Sequence, residues 1–303
     1  MSVAARTVRT LAMKDGTPLH LEDWVLPAQA ARRGSALIVH GLGEHIGRYA
    51  HVVSALLATG IEVRGYDQRG FGRSPGGRGV IPGPDALLDD ARIVFDDWHR
   101  DRGDAPFLIG HSMGGAVAAR AVTGGWIAPR GLVLSSPAIA GRLSSLQKFA
   151  LGVGRRLSPD RPVPSGLKSQ YVSRDAAVVD DYHRDALNHG LITPRLAQFI
   201  VDAGTQALAG AGRVHVPTLV MIGSGDRLVD VASARLFHDR LPAALRTLHV
   251  YDGFYHELFN EPAADRARAL SDLVRWLAAV ADGSPVPAPD RGPDQPLAPG
   301  APG

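Results

Sequence analysis

The sequence has 303 residues, 45% of them hydrophobic and 21% charged, which excludes wholesale disorder and provides for one large core or two modest ones. Its 33 lysines and arginines against 30 aspartates and glutamates leave a net charge of +3, too small to indicate a nucleic-acid-binding protein. The absence of cysteine excludes disulfides, thiolate nucleophiles and cysteine-based metal sites. No signal-peptide pattern and no run of about 18 apolar residues is present, so we expect a cytoplasmic protein.

The first elements in chain order are predicted to be a β-hairpin and then an alternation of strands and helices. Two alternating runs, RTVRTLAM and PLHLEDW, flank a turn at 14–17. Short apolar runs follow at 35–40, 61–67, 106–110, 130–136 and 217–223, and helical stretches lie near 48–59, 84–102, 113–124, 231–241 and 262–280. This alternation indicates an α/β protein with a mostly parallel central sheet and helices on both faces.

The alternation stops over residues 137–215, where helical periodicity is broken by prolines. We interpret this segment as a helical cap inserted between two parts of the core, at the carboxyl ends of strands where open α/β sheets hold their ligands. The core parts are then predicted at 1–136 and 216–281. Residues 282–303 contain seven prolines and no apolar periodicity, which predicts a disordered tail.

The motif Gly-x-Ser-x-Gly, at residues 110–114, joins a buried strand directly to an alanine-rich helix. A serine at such a sharp turn has a strained backbone, and glycines flank it because a Cβ there would collide with neighbouring backbone. Ser112 would also lie at a helix N-terminus, which favours developing negative charge. The bare motif occurs by chance in glycine-rich chains, but its place between strand and helix favours a nucleophilic serine.

A serine nucleophile needs a base and an acid that orients the base, and at such a turn they follow the serine in the order acid, then histidine. His256 is the predicted base because it follows the strand-like run RTLHVYDG and precedes the last long helix. His111 is expected to point away from the serine. Asp226, directly after the run PTLVMIGSG, is the predicted acid, and Asp230 is the alternative.

Acyl transfer also needs N–H donors for the oxygen that becomes negative in the tetrahedral intermediate. The backbone N–H of Met113, the residue after the serine, is predicted to be one donor. The second is expected from Leu42 in the loop HGLGEH at 40–45, where Gly41 and Gly43 let the backbone approach a substrate. This chemistry requires no metal and no organic cofactor.

Five segments carry further motifs: HGLGEHIGRY at 40–49, YDQRGFGRS at 66–74, GHSMGG at 110–115, GSGD at 223–226 and YHE at 255–257. Together they resemble the monoacylglycerol lipase and lysophospholipase group of the α/β-hydrolases. GHSMGG is shared by many α/β-hydrolases, whereas HGxGEHxxRY is much closer to monoacylglycerol lipases. The resemblance implies the α/β-hydrolase fold with an inserted helical cap. It also implies a serine esterase that cleaves monoacylglycerol to fatty acid and glycerol through an acyl-enzyme intermediate.

The sequence departs from the pattern of this group at two positions. Phe71 stands where the family often has histidine, and Ala186 replaces the usual proline of a cap segment that reads YHRDAL here. In the family this segment helps to enclose the glycerol end of the substrate, which makes Tyr182 and Asp185 candidates for substrate binding. Hydrogen bonds that stabilise the cap are an equally good interpretation of both residues.

The start of the predicted cap has the pattern of a basic amphipathic helix. Its apolar positions are Leu143, Leu146, Ala150, Val153 and Leu157, with Phe149 at the margin, and its charges are Arg142, Lys148, Arg155, Arg156 and Arg161 against Asp160. Such a helix can rest on an anionic lipid surface and admit an acyl chain beneath it, or it can pack on the core with its arginines in water. Leu143, Leu146 and Phe149 are therefore candidate substrate contacts, and peripheral membrane contact is a hypothesis.

Other functions stay open at this point. The same chemistry would serve a lysophospholipase or a general carboxylesterase acting on another lipid ester. An aminopeptidase or amidase of the same superfamily could use the cap carboxylates of Asp175, Asp180, Asp181 and Asp185, but HGLGEH lacks the HGGPG-like pattern of those peptidases. A receptor or scaffold without catalytic activity is disfavoured because nucleophile, acid and base are all present. The sequence does not determine an oligomeric state.

Overall fold

The computed structural model describes residues 4–140 and 152–286. Its strands are β1 (Ala5–Ala12), β2 (Pro18–Val25), β3 (Gly34–Val39), β4 (Ile61–Tyr66), β5 (Phe107–His111), β6 (Leu132–Ser135), β7 (Val163–Pro164), β8 (Leu191–Ile192), β9 (Thr218–Gly223) and β10 (Arg246–Tyr251). Eight of these strands form one sheet in the order β1-β2-β4-β3-β5-β6-β9-β10. The remaining two, β7 and β8, form a separate ribbon.

The sheet is parallel from β4 to β10 and antiparallel at its β1–β2 edge. The register pairs Leu11 with Leu19 around a turn in which the N–H of Met13 donates to the carbonyl oxygen of Thr17 over 2.8 Å. The hairpin predicted from the two alternating runs is therefore present. The predicted α/β class with a mostly parallel sheet is confirmed.

Helices cover both faces of this sheet. The helices of the described residues are α1 (Ala50–Ala58), α2 (Ala86–Arg102), α3 (Met113–Thr123), α4 (Ala176–Arg184), α5 (Pro194–Gly210), α6 (Val231–Arg240) and α7 (Ala263–Asp282), and residues 152–157 are also helical. Of these, α4 lies in the segment between β6 and β9 and has no buried residue. Because side chains alternate along a strand, Leu37 and Val39 pack with α2, α3 and α6 on one face, whereas Ala36 and Ile38 pack with α1 and α7 on the other.

The segment between β6 and β9 joins the core mainly through α5, which packs on α3. Gly204 permits the close approach of α5 to the chain that follows β6, because a Cβ there would lie 2.1 Å from the carbonyl oxygen of Ile139. The segment is not wholly helical, since β7 and β8 pair antiparallel. Strands of two residues each are too short to leave a periodic pattern in the sequence. The domain boundaries at 136, 215 and 281 remain predictions.

Several predictions concern residues outside the described ranges. These are Leu143, Leu146 and Phe149 as substrate contacts and residues 287–303 of the tail. Helix α7 continues through Asp282, the first residue assigned to that tail, and ends at Gly283, whose φ of 65° is left-handed. Within residues 4–140 and 152–286, no helix has both the length and the apolar character needed to cross a membrane.

Candidate active site

Ser112 lies at the tight junction between β5 and α3. Its φ is 53°, a conformation that costs a residue with a side chain roughly 1–3 kcal/mol and is found mostly at functional sites. A Cβ at Gly110 would lie 2.5 Å from the carbonyl oxygen of Gly114, and a Cβ at Gly114 would lie 2.2 Å from that of Val39. Backbone on both sides thus leaves room for glycine only, and the turn holds the serine at the carboxyl edge of the sheet.

His256 and Asp226 are brought together from the loops that follow β10 and β9. The Nδ1–H of His256 donates to Oδ2 of Asp226 over 2.7 Å, and both side chains are buried. The other carboxylate oxygen of Asp226 accepts the N–H groups of Leu228, at 2.8 Å, and Val229, at 3.2 Å. With Nδ1 protonated and bonded to the carboxylate, Nε2 of His256 is the nitrogen left to act as a base.

The charges of this pair stabilise each other. Burial favours the neutral acid, but His256 and the two backbone N–H groups outweigh it, so the pKa of Asp226 is lowered from its ordinary value. Burial likewise favours neutral imidazole, but the carboxylate of Asp226 outweighs it and raises the pKa of His256. The site is therefore arranged to hold a carboxylate and to favour the imidazolium that forms when the histidine takes a proton.

His111 lies beside the histidine of this pair. Its ring centroid is 4.8 Å from that of His256, and its Nδ1–H donates to the carbonyl oxygen of Ser135 over 3.1 Å. Burial, together with His256, lowers the pKa of His111 to about 4, which keeps this ring neutral. No part in the site was predicted for His111, whereas the fold packs it against the predicted base. Its position directly before Ser112 was the only signal.

The glycine-rich loop at 40–45 lies against the serine. A Cβ on Gly41 would be 3.2 Å from Cβ of Ser112, so only a bare backbone can come this close. Nε2 of His40 accepts the N–H of Gln68 over 2.9 Å, which puts its proton on Nδ1, and Nδ1–H donates to the carbonyl oxygen of Gly41 over 2.7 Å. Burial lowers the pKa of His40 and keeps this arrangement neutral. Leu42 follows directly in the loop.

The chain matches known proteins over this whole arrangement. Residues 30–263 match the family model described as Serine aminopeptidase, S33. The chain is 34% identical over 252 residues to the monoacylglycerol lipase of Mycolicibacterium smegmatis, covering 81% of this chain and 88% of that protein. It is 31% identical over 288 residues to the monoglyceride lipase of Homo sapiens, covering 91% and 92%. The chain belongs to the monoacylglycerol lipase group of the α/β-hydrolases.

A solved structure agrees with this membership. The Paleococcus ferrophilus monoacylglycerol lipase is similar with a TM-score of 0.76 at 28% identity, over 92% of this chain and 100% of that chain. The chain described here is therefore a serine hydrolase, as predicted from its motifs.

Three charged residues of the hydrolase link the loop at 40–45 to the segment that carries His256. Oε1 of Glu44 accepts the N–H of Gly41 over 2.6 Å, while Oε2 accepts a bond from Arg48 over 2.9 Å. Arg48 also forms a bidentate ion pair with Glu257, at 2.6 and 2.7 Å. Burial would raise the pKa of Glu44, but Arg48 and the neighbouring groups lower it to about 2. All three residues lie within the motifs HGLGEHIGRY and YHE, but no role was predicted for them.

Tyr182 and Asp185 fasten the cap to the loop at 40–45. The hydroxyl of Tyr182 donates to the carbonyl oxygen of Gly43 over 3.2 Å. Nδ1 of His45 accepts the N–H of Gly47, so Nε2 carries the proton and donates to Asp185 over 2.7 Å. Of the two interpretations of Tyr182 and Asp185, hydrogen bonds that stabilise the cap are the one that this geometry supports. Substrate binding by either residue stays a prediction.

Two further residues singled out in the sequence, Asp230 and Phe71, make contacts that stabilise the fold. Asp230, the alternative acid, accepts the N–H of Ser233 over 3.0 Å and so caps the N-terminus of α6. Phe71, at the position where the family often has histidine, is fully buried and stacks on His189 with ring centroids 4.8 Å apart. Among the residues that the structure describes, no group of three or more histidines and carboxylates is arranged to hold a metal ion.

Proposed function

We propose that this serine hydrolase cleaves monoacylglycerol to a free fatty acid and glycerol, with Ser112 as nucleophile. The observation that carries the assignment of the site is the buried 2.7 Å bond between His256 and Asp226 at the edge of the sheet where Ser112 is held with a φ of 53°. The substrate class rests on the relatives, which are named monoacylglycerol or monoglyceride lipases.

The proposed first half-reaction forms the acyl-enzyme. Oγ of Ser112 attacks the ester carbonyl carbon while Nε2 of His256 takes the hydroxyl proton. The carbonyl oxygen becomes negative and is stabilised by the backbone N–H groups of Leu42 and Met113. When the intermediate collapses, His256 returns the proton to the glycerol oxygen and glycerol leaves. Asp226 keeps the imidazole in the required tautomer and stabilises the imidazolium throughout.

The second half-reaction repeats these steps with water. His256 takes a proton from a water molecule that attacks the acyl carbonyl, and the oxyanion again lies at Leu42 and Met113. The proton then returns to Oγ of Ser112, which releases the fatty acid. One monoacylglycerol and one water give one fatty acid and one glycerol. No atom changes its oxidation state, so the cycle needs no redox partner.

The state of the cap carboxylates weakens the aminopeptidase alternative. A free carboxylate would have to receive the substrate's α-ammonium group. Asp185 is bonded to His45, and Asp175 accepts the N–H of Ala177 at the start of α4. Asp180 and Asp181 lie at the exposed surface with Arg184. None of these four carboxylates is held in the manner of a buried ammonium receptor.

A substrate panel with the purified enzyme would test the proposed function. Monoacylglycerols from C8 to C18 are compared with di- and triacylglycerols, lysophosphatidylcholine and an amino-acid naphthylamide. We expect fastest fatty-acid release from monoacylglycerols, and loss of hydrolysis and of fluorophosphonate labelling in Ser112→Ala. Persistent labelling of that variant would show that the nucleophile is another residue. Faster turnover of lysophosphatidylcholine or of the naphthylamide would favour the corresponding alternative.

We further propose that the cap meets a lipid surface around the helical residues 152–157. Leu157 is 78% exposed and Val153 39% exposed, and the exposed side chains of Arg155 and Arg156 accompany them. Apolar side chains in water next to arginines are typical of segments that rest on anionic headgroups. An acyl chain would then pass from the lipid to the site without crossing water.

Flotation with phosphatidylglycerol-containing vesicles tests this contact. Arg155→Glu with Arg156→Glu is expected to reduce retention and activity on micellar substrate, while hydrolysis of a water-soluble ester stays unchanged. Arg92→Glu with Arg100→Glu, a matched charge reversal on α2, is expected to leave retention as in the wild type. Equal retention of both double variants, or none by the wild type, contradicts the proposed contact.

A further inference from the structure

The loop at 40–45 and the segment that carries His256 start far apart in the sheet. The loop follows β3 and the segment follows β10, and β5, β6 and β9 lie between these two strands. At about 4.8 Å per strand the two starting points are roughly 19 Å apart. Catalysis of the proposed kind needs both at Ser112, which follows β5, so the two segments must be held together across the carboxyl edge of the sheet.

The side chain of Arg48 lies where the two segments meet above the edge of the sheet. It bonds Glu44 on one side and both carboxylate oxygens of Glu257 on the other, and the three side chains are only 10%, 4% and 6% exposed. Glu44 in turn accepts the N–H of Gly41, next to Ser112. Glu257 directly follows His256. One guanidinium therefore joins the backbone of the proposed oxyanion loop to that of the base.

Glu257 is itself held at further points. Its N–H donates to the carbonyl oxygen of Val172, a buried residue of the cap, over 2.7 Å. Its Oε2 also accepts the side-chain amide of Asn260 over 3.0 Å. Bidentate geometry and these additional bonds fix the direction of the carboxylate as well as its position, which a single contact would not do. The ion pair therefore fixes the position of the segment that carries Glu257, in addition to neutralising its charge.

We propose that Arg48 and Glu257 are positioning residues that keep the oxyanion loop and His256 aligned on Ser112. The inference rests on the roles proposed above for Ser112 and His256. Neither residue needs to touch the substrate, since Arg48 acts through Glu44 and Gly41, and Glu257 acts through its neighbour His256. A displacement of reacting groups by about 1 Å can lower the rate about 100-fold, so alignment of this kind has a measurable consequence.

The same residues also set the charge around the base. His256 faces Asp226 from the loop after β9, neutral His111 from the end of β5, and the carboxylates of Glu257 and Glu44. Both glutamates contribute to raising the pKa of His256, and Arg48 lies between them. Removing Glu257 should therefore favour neutral imidazole, and removing the arginine should favour imidazolium.

Conservative variants test the proposal through rates and pH profiles. In Arg48→Lys the charge stays and the bidentate pair is lost, so kcat on p-nitrophenyl butyrate should fall about 10-fold with KM within about twofold. In Glu257→Gln the acid limb of the kcat/KM profile should move to lower pH by about half a unit. In Arg48→Gln it should move to higher pH. A merely structural role would not move the acid limb in opposite directions in these two variants.

Glu261→Gln is the matched control. Glu261 is also buried and lies in the same segment, where it pairs with Arg174 over 2.8 Å and accepts the N–H of Tyr255, the neighbour of His256, over 2.6 Å. It therefore also holds the segment that carries His256, so the comparison isolates the charge beside the imidazole. This variant should lose thermal stability as Glu257→Gln does without a shift of the acid limb. Wild-type kcat in both Arg48→Lys and Glu257→Gln would overturn the proposal. Equal shifts of the acid limb in Glu257→Gln and Glu261→Gln would also overturn it. Both comparisons can be made even if Arg48→Gln does not fold. Absence of hydrolysis by the wild type would instead refute the proposed function.

Discussion

The sheet edge that carries the proposed catalytic residues and the cap that covers it are built differently. Ser112, Asp226 and His256 are all less than a tenth exposed, and backbone contacts leave no space around the serine turn. The described cap reaches this edge through separate polar contacts, and α4 has no buried residue. The core thus determines where the reacting groups lie, whereas the cap only braces them. Changes to the proposed reacting groups at the edge should abolish activity, and changes in the cap should reduce it.

The largest expected effect comes from the acid. In Asp226→Asn the hydrogen-bond partner of His256 loses its charge and the preference for Nδ1–H, so Nε2 no longer serves as base. Such a change lowered kcat about 10⁴-fold in a serine protease of another fold, and we expect a similar loss here. Initial rates on p-nitrophenyl butyrate measure it.

Asp230→Asn is the control for this prediction. It follows the same strand and carries the same charge, but its side chain caps α6. We expect wild-type rates and a stability loss of no more than about 1 kcal/mol, since asparagine is also a good N-cap. A large loss of activity in Asp230→Asn with little in Asp226→Asn would exchange the roles of the two aspartates.

A smaller effect on rate, but a clear one on folding, is expected from Gly114→Ala. The added Cβ would lie 2.2 and 2.4 Å from the carbonyl oxygens of Val39 and His40, which are backbone and cannot turn away. The start of α3 must then move from the loop at 40–45, at a cost of about 1–3 kcal/mol. Gly83→Ala, where nothing lies within 4 Å, should leave the thermal midpoint unchanged. Equal midpoints for both variants would mean that the turn is not tightly packed.

Much of the core could be predicted because each element is specified locally. The run at 35–40 became β3 (Gly34–Val39), and the helical stretch at 84–102 became α2 (Ala86–Arg102). The pairing of Asp226 with His256 was also predictable, since both follow strands and the carboxyl ends of parallel strands meet at one edge.

The contacts among charged residues could not be predicted in this way. Arg48 and Glu257 are 209 positions apart, and Tyr182 and Gly43 are 139 apart, so no local pattern relates them. Each is decided by how far a long side chain reaches once the sheet is assembled. Opposite charges close to two predicted strand ends were the available signal, and many other charged residues of the chain offered the same one.

The smallest effect should come from the cap contacts. Tyr182→Phe and Asp185→Asn each weaken a hydrogen bond to the loop at 40–45, worth about 0.5–1.5 kcal/mol, and so should lower kcat/KM on a monoacylglycerol two- to tenfold. Asp181→Asn, on the exposed face of the same helix, should behave as the wild type. If these residues instead bind glycerol, the loss would be confined to glycerol esters and spare p-nitrophenyl butyrate. A loss on both substrates alike identifies them as supports of the oxyanion loop, and a loss beyond 100-fold would place the cap within the catalytic machinery.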